Sequence, residues 1–249
     1  MDVKVYNLNL PVGESDLTIN YYSSQLYANA TTTTQVTNAK IETAITVDPV
    51  VLNANRMANI TARISAVGSD TIVNEGKVVF KVNGKTLKDA NGKVIYAKVV
   101  NGTASIEYSF GSFSNFNNIK ITASYAGSTT FESSKSDEII VEKPAERATA
   151  VITVDDVTAR MGDIITINAT IKDLDGNDVL YGTVVFKING EVVKDAYGNP
   201  IFLEIVDGKV SVDYNVSNLR ARNYTIICVM GLDDFYDGSR ATATLTVEE

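Results

Sequence analysis

The chain has 249 residues, 45% of them apolar, and a formal net charge of −8, enough apolar material for one large core or two medium ones and too much for a disordered polymer. It contains no His, no Trp and one Cys, Cys228, which excludes a histidine general base, a Cys/His zinc site and an internal disulfide. The acidic balance argues against wrapping nucleic acid, and the longest apolar run, Ile226 to Met230, falls far short of the roughly 20 residues of a membrane helix, so no span is expected in this segment.

In chain order, the opening Met1-Asp2-Val3-Lys4 lacks the basic-then-apolar start of an export signal. An exported parent would therefore contribute this chain as an internal or processed piece. Within residues 1–42, Leu17, Ile19, Tyr21 and Tyr27 line up with Ile121, Ala123, Tyr125 and Phe131. This predicts a partial repeat: the last strands of a preceding domain, too few to close a core alone, expected to pack on the next domain, pair with another chain or fray.

Residues 43–143 and 144–249 read as two full copies of one repeat. Val78-Val79-Phe80-Lys81-Val82-Asn83-Gly84 returns as Val184-Val185-Phe186-Lys187-Ile188-Asn189-Gly190, Ile45-Thr46-Val47-Asp48 as Ile152-Thr153-Val154-Asp155, and Lys88-Asp89-Ala90 as Lys194-Asp195-Ala196. A copy of about 100 residues is the size of one small domain. The polar stretch Glu142 to Thr149, with Pro144 in it, reads as a short stiff linker. Inside a copy the apolar period is two. Ile165, Ile167, Ala169 and Ile171 alternate with polar neighbours, and Tyr224, Ile226, Cys228 and Met230 share one face. Asn83-Gly84, Asn91-Gly92, Asn101-Gly102, Asn189-Gly190 and Asp207-Gly208 predict type I′ hairpin turns. About seven short strands per copy without a helical stripe predict an all-β fold, tandem immunoglobulin-like antiparallel β-sandwiches.

The string Gly-x-Val-Val-Phe-Lys-Val/Ile-Asn-Gly, followed by Lys-Asp-Ala-x-Gly and a glycine loop leading to Phe131 or Tyr236, resembles the Ig-like repeats of large adhesin-like surface proteins of methanogenic archaea. Related repeats occur in bacterial surface and invasin-like proteins. The resemblance covers nearly the whole chain and implies a non-catalytic, extracellular segment of a cell-surface stalk that mediates or supports cell adhesion. Its expected partners are neighbouring repeats of the same parent and a surface glycan or protein of another cell. The alternative is a glycan- or protein-binding module that uses the loops at the sandwich end.

Two copies act as an internal control, because a shared chemical site should occur twice, and what recurs is strand residues and turn glycines. No catalytic residue and no cofactor is expected. The metal candidates are the acidic loops Asp173, Asp175, Asp178 and Asp233, Asp234, Asp237, of which the first imitates the start of a calcium loop but has Val184 where a calcium-binding Glu would stand. Surface Ig-like domains also carry internal Lys–Asn amide crosslinks, and Lys81 and Lys187 are the candidates here. That chemistry needs a buried, uncharged amine beside a carboxyl. Phe235 and Tyr236 are the candidate ligand-contacting aromatics. Against this, Tyr27, Phe131 and Tyr236 are expected to plug the end of each sandwich, and Cys228 to serve as a small core residue.

Overall fold

The computed structural model describes residues 10–23 and 26–249. Positions 1–9, 24 and 25 of the expected partial repeat lie outside the described residues. The chain forms two compact units. One takes the described part of 1–49 with 59–106 and 118–140; the other takes 50–58, 107–117 and 141–249. No helix occurs among the described residues, and hence none long and apolar enough to cross a membrane.

The first unit starts with an antiparallel ribbon of β1 (Gly13–Tyr21) and β2 (Ala30–Asn38), a two-stranded sheet of its own. The strands that follow are β3 (Thr43–Val47), β4 (Met57–Ala66), β5 (Lys77–Val82), β6 (Lys85–Thr86), β7 (Ala97–Lys98), β8 (Thr103–Ser109), β9 (Lys120–Tyr125), β10 (Ser134–Lys135) and β11 (Ile139–Ile140). They form one sheet in the order β3-β4-β8. A second runs β10-β9-β5-β6, with β11 also on β9 and β7 on β5. Ile60, Ala62 and Ile64 of β4 are buried, as are Val78, Phe80 and Val82 of β5 and Ile121, Ala123 and Tyr125 of β9. Alternation of apolar and polar residues places one face of each strand in the core.

The second unit repeats the plan with β12 (Ala150–Val154), β13 (Val157–Arg160), β14 (Ile164–Asp173), β15 (Thr183–Ile188), β16 (Glu191–Val192), β17 (Leu203–Glu204), β18 (Lys209–Asn215), β19 (Arg222–Met230) and β20 (Ser239–Glu248). Its sheets run β12-β14-β18 and β13-β20-β19-β15-β16, with β17 on β15. In both units one sheet has a central strand, β4 or β14, between the first strand and a later one, β8 or β18, and on the other sheet the Val-Val-Phe strand, β5 or β15, pairs with β9 or β19, which in turn carries the last strands of the unit. That is the strand order of the immunoglobulin fold, and the class of the protein is an all-β, immunoglobulin-like sandwich.

The repeated motif has a local reason at each end. Gly76 and Gly182, just before β5 and β15, have φ of 85° and 143°; a Cβ on them would sit 2.5 Å from Tyr125 Cε2 and 2.8 Å from Met230 Cε. Only glycine lets these core side chains lie against the backbone. At the other end, Asn83 and Asn189 have φ of 47° and 52° before Gly84 and Gly190 at 78° and 91°, the paired positive angles of a type I′ turn. The pairs Asn101-Gly102 and Asp207-Gly208 do the same. Asn91-Gly92 departs from the expectation, because only the glycine is positive there; that loop is organised by Asp89 instead.

Candidate functional site

Asp173 Oδ1 accepts the backbone N–H groups of Asp175 at 3.0 Å and Asn177 at 2.8 Å, and its Oδ2 accepts Asn177 Nδ2 at 3.0 Å. Asp195 makes the same set with Tyr197 (2.9 Å) and Asn199 (2.8 and 3.2 Å). Asp89 does so with the N–H groups of Asn91 and Lys93, both at 2.9 Å. The calcium-like string at 173–178 is thus built as the same aspartate-capped hairpin loop that occurs at 89–93 and 195–199. The hydrogen bonds, led by Asn177 Nδ2 at Asp173 and by the Asn199 N–H at Asp195, hold both carboxyls below their ordinary range.

The remaining candidates are placed singly. Asp178 pairs with Lys172 Nζ at 2.8 Å and Asp234 with Lys143 Nζ at 3.1 Å, while Asp175 and Asp237 are exposed. Asp233 Oδ1 accepts the N–H groups of Phe235 and Tyr236, both at 2.7 Å. Among the described residues no three Asp, Glu, Cys or His side chains gather into a group able to hold a metal.

A polar and aromatic cluster lies elsewhere in the second unit, around Asn55 and Arg56. Arg56 takes a positive φ of 58°, and its carbonyl accepts the Phe110 N–H at 2.8 Å. Its guanidinium carbon lies 4.6 Å from the ring centre of Tyr181, 5.1 Å from Phe116 and 5.2 Å from Phe235. Nη2 stands 3.6 Å from Asp233 Oδ2. Its Nε is buried without a hydrogen-bond acceptor, so the ring faces provide its electrostatic complement. Phe116 and Phe235 meet edge to face at 4.7 Å. Beside them, Asn55 Oδ1 accepts the Leu180 N–H and the Tyr236 hydroxyl, each at 3.0 Å, and Asn55 Nδ2 donates to the Asp178 carbonyl at 3.0 Å. A cleft of about 730 Å³ opens beside this cluster, lined by Asn53, Asn55, Arg147, Asp173, Asp175 and Tyr236 among others. The polar lining offers hydrogen bonds and charge.

Sequence reading missed Arg56 as a centre. Its counterpart in the other copy is Asp163, whose carbonyl accepts the Val216 N–H at 3.0 Å as Arg56 accepts Phe110. A residue that differs between copies leaves no trace in a search for repeated chemistry. The one available signal was the arginine itself, standing where the second copy has an acid.

Phe235 and Tyr236 are buried, and burial pushes the Tyr236 hydroxyl up to about 12. Phe131 is buried as expected, whereas Tyr27 is exposed, against the expectation that it plugs a sandwich end; no second sheet covers its ribbon among the described residues. Lys81 and Lys187 sit half-buried on β5 and β15, opposite Thr122 and Ile227 of the neighbouring strands. Cys228 is fully buried, its thiol pushed up to about 12 by desolvation.

No protein-family model matches the chain, and no curated protein matches it. Among solved structures it is similar to the fibronectin(III)-like modules of Clostridium thermocellum CbhA, at 17% identity over 82% of this chain and 94% of that one, with a TM-score of 0.30. It is similar to titin domains Z1Z2 in complex with telethonin, at 13% identity over 83% and 96%, with a TM-score of 0.33. It is also similar to the Yersinia pseudotuberculosis adhesin InvE, at 13% identity over 82% of this chain and 58% of that one, with a TM-score of 0.40.

Proposed function

We propose that the chain is a non-catalytic stalk segment of a cell-surface adhesin, in which immunoglobulin-like repeats hold a contact surface away from the cell and withstand pulling. The observation that carries this reading is parallel pairing between a segment near the start of each unit and a segment near its end. In the second unit β13 lies parallel to β20, Val157 opposite Leu245 through Arg160 opposite Glu248. In the first, Ile41 bridges Phe131 in parallel, with its N–H donated to Thr130 O and its carbonyl accepting the Glu132 N–H, both at 2.9 Å. When such a domain is pulled by its two ends, the entering and leaving strands are drawn in opposite directions along their axes. The hydrogen bonds between them are then loaded in shear, and several must break together.

A sandwich loaded this way needs no nucleophile, metal or cofactor, which fits a chain without His. In single-molecule stretching, each domain is expected to give a discrete force peak that releases roughly 300 Å of chain, the contour length of about 100 residues. Smooth extension without force peaks overturns the reading.

A further inference from the structure

The ladder between β1 and β2 repeats the ladder between β19 and β20 residue for residue. Gly13 opposite Asn38 corresponds to Arg222 opposite Val247, and Tyr21 opposite Ala30 to Met230 opposite Ser239, a constant separation of 209 (222 − 13 and 247 − 38). The connecting loops therefore have the same length. The correspondence puts Leu17, Ile19, Tyr21 and Tyr27 where Ile226, Cys228, Met230 and Tyr236 stand.

Those four residues of the second unit are 0–1% exposed, covered by β12, β14 and β18. On the other edge of β19, β15 pairs from Val184 opposite Met230 to Ile188 opposite Ile226. In the ribbon, Ile19 is 41% exposed, Tyr21 48% and Tyr27 69%, and among the described residues β1 pairs with β2 alone. An apolar strand face with a free edge is a template for one more strand.

We propose that β1–β2 is the acceptor half of an incomplete immunoglobulin-like sandwich, and that its occupant is the complementary strand set of another repeat of this same sequence type. The incoming strand is of the Val-Val-Phe-Lys-Ile kind. It runs antiparallel on the free edge of β1, with its first Val opposite Tyr21, its Phe opposite Ile19 and its Ile opposite Leu17, and a three-stranded sheet behind it covers the apolar face. The register of β15 on β19 dictates this alignment. A folded second copy of the chain is a poor source, because β5 and β15 are already paired along both edges.

The test places a duplicate of residues 150–218 ahead of Leu10 in the otherwise full chain, the junction that the 209-residue spacing sets (219 − 10). Hydrogen exchange over Gly13–Tyr21 is then compared with the native chain. The expected result is about tenfold or greater slowing across β1, abolished by Ile19→Lys, with β19 unchanged. A control with the same 150–218 duplicate ahead of a second copy of 219–249 shows that the added strands can complete a sandwich. If that control folds and β1 exchange stays unchanged in the ribbon fusion, the proposal is overturned. It is equally overturned if β1 of the native chain becomes protected with rising protein concentration, because the occupant is then a second copy.

Discussion

At the scale of single residues, the second unit spends its charges on local structure. Arg56 is held between three rings and one carboxylate, with its side chain 18% exposed. Arg56→Ala removes the cation and leaves a gap among the rings. It is expected to cost about 2 kcal/mol in urea unfolding. Arg56→Lys recovers only part of this, since an ammonium does not stack as a planar guanidinium does. Asp195 is a different case, a fully exposed carboxyl held low by the N–H groups it caps. A carboxyl depressed in the folded state contributes stability above its unfolded pKa, about 3.9. That contribution is lost as pH falls through the lower folded value. The melting temperature of Asp195→Ala is therefore expected to lie below that of the native chain at pH 7, with the gap closing as the pH drops below about 4. A gap that persists at low pH rules out the charge as its source.

Among the strands, the clearest difference between the two sandwiches lies in the last hairpin. The ladder of β19 with β20 is unbroken over nine pairs. In the first unit, Ser134 opposite Tyr125 and Ile139 opposite Ile121 differ by one residue in register, which marks a bulge. Ser136 sits in it, buried, its Oγ accepting the Ala123 N–H at 2.9 Å and donating to Asp137 O at 2.8 Å. Ser136→Ala strips a buried N–H of its acceptor and is expected to cost about 1–3 kcal/mol. Ser136→Thr, which keeps the hydroxyl, should cost less; equal losses in chemical denaturation would assign the effect to packing.

For the molecule as a whole, the aspartate-capped loops bear on metal dependence. The carboxylate oxygens of Asp173 are occupied by amide donors, and Asp178 and Asp234 by lysines. Millimolar calcium followed by a chelator is expected to leave the melting temperature unchanged. A rise with calcium would reinstate the acidic loops as a metal site, because a ligand that binds only the folded state must stabilise it. The strand content and its faces were legible in the sequence, since period-two alternation is a direct consequence of pleat geometry. The hairpins with Asn83-Gly84 and Asn189-Gly190 were legible for the same kind of local reason. Asn91-Gly92 was not, because Asp89 two residues earlier captures the backbone first. The Arg56 cluster was not legible either, because its members come from positions 55–56, 116, 181 and 233–236.

The pattern of residues was enough to establish an all-β chain, a repeat of about a hundred residues and, for the strands of the two sandwiches, the side that faces a core. These follow from interactions between near neighbours, where a side chain's direction is set by the backbone it grows from. The matching register of β1–β2 and β19–β20, the bulge at Ser136 and the burial of Arg56 among aromatics emerged from the folded chain. Each depends on which distant segment arrives opposite a given residue, and pairing between strands is chosen by the packing of whole sheets rather than by local preference.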